Sequence, residues 1–156
     1  MRAAIVHGDL ESLAGWSLSR KTLADDENTN TLQKQIVTSR CRIIASSHTC
    51  LPVAVALETA LGRCAVFNNG AAGMPNFRNV HCGVITRIAT TPSVNPTLYG
   101  TCISGVYVDA LPVNYDKLRW RNDFLRMWPQ RSAAYESYHR RLTAGPDYCV
   151  TRAVQL

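Results

Sequence analysis

The sequence predicts an α/β fold, and three features carry that expectation. Short apolar runs, "AAIVHGD" (residues 3–9), "CRIIASS" (41–47) and "RCAVFNNG" (63–70), have strand length and stop at small or polar turn residues. Two later stretches, "HCGVITRIATT" (81–91) and "CISGVYVDALPV" (102–113), are rich in β-branched residues and read as antiparallel strands. Between and after these runs, apolar residues recur at helical spacing.

Taken in order, residues 3–9 read as a buried strand ending in a His-Gly-Asp loop. Residues 13–23 carry no clear period. Residues 25–40 read as a surface helix, with Asp25 and Asp26 at its positive end and Leu32, Ile36 and Val37 on one side. Residues 41–47 are a second buried strand. Residues 51–62, "LPVAVALETALG", read as a helix or a helix–strand mixture closed by Gly62. A third strand follows at 63–70. Residues 69–77, "NGAAGMPNF", are too rich in small residues for anything but an irregular loop. "PSVNPTLYG" is a long turn between the last two strands, and Pro112 closes the second of them. The tail is helical. One helix starts at Asn114, carries Leu118, Phe124, Leu125 and Trp128, and ends at Pro129; another runs from Ser132 to Gly145.

A length of 156 residues suits one domain, spanning 1–156, with a real core. Hydrophobic content of 46% against 18% charged excludes a disordered chain. No apolar run approaches the roughly 20 residues that span a bilayer. The first sixteen residues, "MRAAIVHGDLESLAGW", have acids early and no long apolar core, so no signal peptide is expected. The net charge is +6, with cations scattered except at residues 117–126 and Arg140-Arg141. No stacking aromatics are threaded through a basic tract. The basic stretch therefore reads as a solvated helix face, not a nucleic-acid surface. Six cysteines, at 41, 50, 64, 82, 102 and 149, form no Cys-x-x-Cys. Those inside "GRCAVF" and "YGTCISGVYV" read as small buried hydrophobes, and a reducing cytoplasm is the expected setting.

Two histidines stand where apolar strands give out. In α/β sheets, ligand sites gather at the carboxyl ends of strands. His7 in "IVHGD" occupies such a place, with Asp9 nearby as a candidate partner for its ring. His48 in "ASSHTC" occupies another, with Cys50 two residues on. Neutral imidazole and thiolate are both good ligands for borderline metals. His81 and His139 sit outside this pattern.

The segments "IVHGD…SLAGW", "IIASSHTCLP" and "VFNNGAAGMPNFRNVHCGVITRIA", in this order, resemble the C-terminal half of bacterial calcineurin-like metallophosphoesterases. The resemblance implies a partial αββα sandwich with a helical C-terminal tail. It implies metal-dependent phosphoester hydrolysis by a dimetal centre, acting on a small phosphoester or a phosphoprotein. His7 and His48 would then ligate one metal. Cys50 stands where the family places a second His for the other metal, a change that would favour Zn or Fe over Mn. Asn68, Asn69 and Arg87 would line the substrate side, and Asp9 would support a ligand. The family's early motifs, Asp-x-His, Gly-Asp and Gly-Asn-His, have no counterpart here. The chain thus reads as a truncated portion with impaired turnover and one metal ion retained. Two other readings follow from the residues. One is a non-catalytic remnant or interaction module that self-associates through an exposed sheet edge. The other is a basic phosphate- or nucleic-acid-binding protein using residues 117–126.

Overall fold

Residues 1–156 are described by a computed structural model of mixed α/β architecture, with eight strands and five helices in two sheets. The first sheet contains β1 (Arg2–Ile5), β2 (Cys41–Ser46), β3 (Pro52–Thr59), β4 (Gly62–Asn69) and β8 (Val154–Gln155). Its order is β1-β2-β4-β3-β8. The second contains β5 (Cys82–Ala89), β6 (Tyr99–Ile103) and β7 (Val106–Asn114), in the order β5-β7-β6. The helices are α1 (Arg20–Leu23), α2 (Asp26–Ser39), α3 (Lys117–Met127), α4 (Ala133–Ala144) and α5 (Val150–Ala153). None is long and apolar enough to cross a membrane.

The first sheet is covered on both faces, which explains its unbroken apolar runs. On one face Ile43, Ala65 and Phe67 meet Val84, Ile103, Val108 and Ala110 of the second sheet. On the other face Ile44, Val55 and Val66 meet Leu23 of α1 and Leu32 and Ile36 of α2. The helix α2 forms where expected. Asp25 caps it by accepting from the Asn28 N–H, and Arg40 ends it with φ 56°. It carries the chain from β1 to the parallel neighbour β2, the kind of connection a parallel pair requires.

Several expectations need correction. Residues 51–62 are not helical: β3 runs antiparallel to β4 from Pro52↔Asn69 to Thr59↔Gly62. Alternating Val and Ala fit a pleat between two covered faces, and Gly62 at φ 82° makes the tight return. β1 is an edge strand, mostly exposed, not a buried one. β7 passes through Pro112 to Asn114, and α3 is capped by Asp116, whose carboxylate accepts from the Leu118 and Arg119 N–H groups. Of the apolar side chains named for that helix only Phe124 is buried; Leu118 and Trp128 face solvent. Cys102 is exposed on β6, an edge strand, while Cys64 and Cys82 are buried. The tail does not stay helical: Val154 and Gln155 pair in parallel with Ala54 and Val55 as β8. Tyr148 anchors that return, its hydroxyl donating to Pro52 O at 2.8 Å with Arg152 O close by at 3.2 Å.

Candidate metal site

β1 and β2 are adjacent and parallel, so their carboxyl ends deliver His7 and His48 to one place. Pairing continues beyond the strands. The Val6 N–H donates to Ala45 O, and both the Ser47 and His48 N–H groups donate to His7 O. The Ser46 hydroxyl also lies within hydrogen-bond distance of His7 O and Gly8 O. The backbone of His7 is thus held by the turn that carries His48.

His7 Nε2 lies 3.1 Å from His48 Nδ1, with the rings edge to face at 72°. Two nitrogens bound to one metal at about 2.1 Å, with tetrahedral or octahedral angles, stand about 3.0–3.4 Å apart. The pair therefore fits two cis positions of one coordination shell. It fits equally a hydrogen bond between neutral imidazoles with one proton between them. Ser47 Oγ lies 3.4 Å from His7 Nδ1 and can set that ring's tautomer.

Cys50 does not join the pair. It has φ 57°, and its thiol turns back toward His48 O at 3.4 Å. No group of three or more His, Cys, Asp or Glu side chains is placed to hold a metal. The donor set fits part of one shell, half of a tetrahedral one, and does not by itself furnish a two-metal centre.

Asp9 serves the loop, not the imidazole. Its carboxylate accepts from the N–H groups of Glu11, Ser12 and Ser17 and from the Ser17 hydroxyl. Gly15 packs against that carboxylate so closely that a Cβ would collide with it. Burial pushes the Asp9 carboxyl up, but the Ser17 hydroxyl and the three N–H groups outweigh it and hold it below its ordinary value. A group with a lowered folded value stabilises fully above its unfolded value of about 3.9 and loses that contribution as pH falls through the folded one. We expect acid titration followed by the indole N–H resonance of Trp16 to show a transition below about pH 4 that Asp9→Ala removes. In chemical denaturation at neutral pH, Asp9→Ala should destabilise by about 1–2 kcal/mol, a modest loss because the loop is partly open to water.

The polar residues assigned to a substrate side are engaged within the fold. Asn68 is buried, donating to Thr49 Oγ1 at 2.7 Å and accepting from the Gly70 N–H. Asn69 donates to Val84 O at 2.8 Å, tying the two sheets together. Arg87 pairs with Asp109 at 2.9 Å on the second sheet. His81 lies beside Lys117 and Arg121 in a small cleft, and His139 stacks on Tyr135. Neither approaches the pair.

Two neighbours of the site were not singled out in the sequence. The Trp16 ring stands 5.3 Å from that of His48, edge to face, and is 59% exposed. Its signal was an aromatic residue directly after a tight glycine loop. Arg141 reaches from α4 to donate to Cys50 O at 2.7 Å and to Pro75 O at 2.8 Å. Burial pulls its guanidinium below the ordinary value, with the Cys50 thiol opposing. No local pattern announces a contact between residues 91 positions apart.

No family model, curated protein or solved structure matches the chain.

Proposed function

We propose that this chain carries one half of a dimetal phosphoester-hydrolysing centre of the metallophosphoesterase type, and that alone it turns over poorly. The observation that supports this reading is the 3.1 Å approach of His7 Nε2 to His48 Nδ1 at the ends of two adjacent parallel strands. The face-to-face packing of two sheets, with α1 and α2 outside the first, accords with part of an αββα sandwich.

His7 and His48 would hold one Mn, Fe or Zn ion. A metal supplies a bound water of lowered pKa and polarises a phosphoryl oxygen. The chain's own residues do the positioning. The turn hydrogen-bonded to His7 O holds the backbones of both histidines together, and the Trp16 ring packs edge to face on His48. The remaining ligands are carboxylates and a second imidazole set that this chain does not place there. A small phosphoester or phosphoprotein remains the substrate class, and six unpaired thiols suit a reducing cytoplasm.

Cobalt or zinc titration tests the pair directly. We expect saturable uptake in the parent chain and at least a roughly tenfold to hundredfold loss of affinity in His7→Ala, since even altering a ligand's supporting contact costs that much. Hydrolysis of bis-p-nitrophenyl phosphate with added Mn should stay near background. Unchanged metal uptake in both His7→Ala and His48→Ala would sink the ligand assignment. Brisk turnover abolished by His48→Ala would sink the claim of impairment. The second reading, a non-catalytic interaction module, is favoured by one observation: the exposed, unpaired edge of β1.

A further inference from the structure

The His7–His48 pair offers a metal two nitrogens and then stops. No third His, Cys, Asp or Glu is placed to complete the set, whereas a structural zinc shell closes at about four ligands. The surroundings of the pair indicate where the other two come from. His7 is exposed, just past the end of the edge strand β1. The rim is apolar. Ile5, two residues before His7, is 80% exposed, and so is Leu13. The loop that carries Leu13 and Trp16 folds back on the residue after His7: a Cβ added to Gly8 would lie 2.7 Å from the Leu13 carbonyl carbon. The Trp16 ring, itself largely open to water, packs against His48. Three large apolar side chains thus stand uncovered around two nitrogens that can ligate.

We propose that two copies of this chain share one zinc ion on a two-fold axis, each giving His7 Nε2 and His48 Nδ1, so that four imidazoles close a tetrahedral shell. The 3.1 Å between the two nitrogens suits neighbouring positions of such a shell at Zn–N distances of about 2.0–2.1 Å. An axis through the ion generates the second pair from the first, and no other ligand type is needed. Each ring keeps its single proton on the nitrogen turned away from the metal. For His7 that is Nδ1, which Ser47 Oγ faces at 3.4 Å and can accept from. All four ligands are then neutral. The same axis brings Ile5, Leu13 and Trp16 of each copy around the ion, removing from water apolar surface that one copy leaves bare. Water ligands would complete the shell and leave the rim exposed; a second copy fills the shell and covers the rim. The inference rests on His7 and His48 being metal ligands, as proposed above, and not on phosphoester hydrolysis.

Sedimentation velocity across a zinc titration tests it. We expect a monomer in EDTA, a dimer complete at about half an equivalent of zinc per chain, and return to monomer when EDTA is added back. Cobalt should give the intense visible absorption of a tetrahedral site at the same ratio. His7→Ala and His48→Ala should each abolish the zinc-dependent dimer. Leu13→Asp changes an exposed side chain and no ligand, so it should fold and still take up zinc, yet weaken the dimer tenfold or more. Val94→Asp, at an exposed site in the turn between β5 and β6, should leave the dimer unchanged. Uptake of one zinc per chain without dimerisation overturns this proposal and leaves the ligand pair standing. No zinc uptake at all overturns both. A dimer that forms without zinc, or that survives both histidine substitutions, overturns the metal bridge.

Discussion

Phe67→Ala should lower the unfolding free energy by about 3–5 kcal/mol, measured as a drop in urea midpoint with an unchanged slope. Phe67 lies on β4, the centre of the first sheet, and is 1% exposed. Its ring sits between the sheets, 6.0 Å from that of Tyr99. Truncation leaves a void that strands on both sides cannot close, because each is held by hydrogen bonds along its length. The expected loss combines the transfer of the ring to water with the contacts its lining forfeits. A loss under about 1 kcal/mol would mean that the two sheets do not share this core.

Asn68→Ala should cost about 2–4 kcal/mol and also disturb the histidine turn. Asn68 follows Phe67 on β4 and points to the opposite face. Its amide donates to Thr49 Oγ1, next in sequence to His48, and its carbonyl accepts from the Gly70 N–H. Removing the side chain leaves buried polar groups on both sides without partners, at about 1–3 kcal/mol each. Asn68→Asp keeps the acceptor but loses the donor to Thr49, so it separates the two. Nuclear magnetic resonance shifts of the His7 and His48 ring protons report the second effect. We expect both to move in Asn68→Ala although neither His is substituted. Static ring signals alongside a large stability loss would show that the turn is fixed without Asn68.

The strands at residues 41–47 and 63–70 were legible because both faces are buried over Ile43–Ala45 and Cys64–Phe67, so those positions are apolar and polar residues mark the ends. The same logic failed for β1. "AAIV" is as apolar as a buried strand, yet its outer edge and Ile5 face solvent. Composition alone does not say whether a neighbour lies alongside. Residues 51–62 misled because alanine and leucine serve helix and strand alike, and only pairing with β4 decides. The tail's return as β8 depends on Tyr148 reaching Pro52 across the fold, which no local period announces.

At the site, the meeting of His7 and His48 was legible from position: both end apolar strands, and those strands prove to be parallel neighbours. Spacing does not reveal why Cys50 stands apart from the pair, because it ignores backbone sign. Its positive φ turns the thiol toward the turn's own carbonyl. Nor does proximity in sequence reveal the partners of Asp9: a carboxylate near several unpaired N–H groups is captured by them first.

The short strand β8 has a consequence for assembly. A sheet with two open edges can grow without limit, head to tail, each copy adding where the last one ended. Here Val154 and Gln155 lie along Ala54 and Val55 of β3, so the edge opposite β1 is a strand of only two residues. So short an edge offers an incoming strand few backbone groups, one of the ways in which sheets blunt edge-to-edge pairing. The two ends of the first sheet thus differ in how readily they can join another sheet.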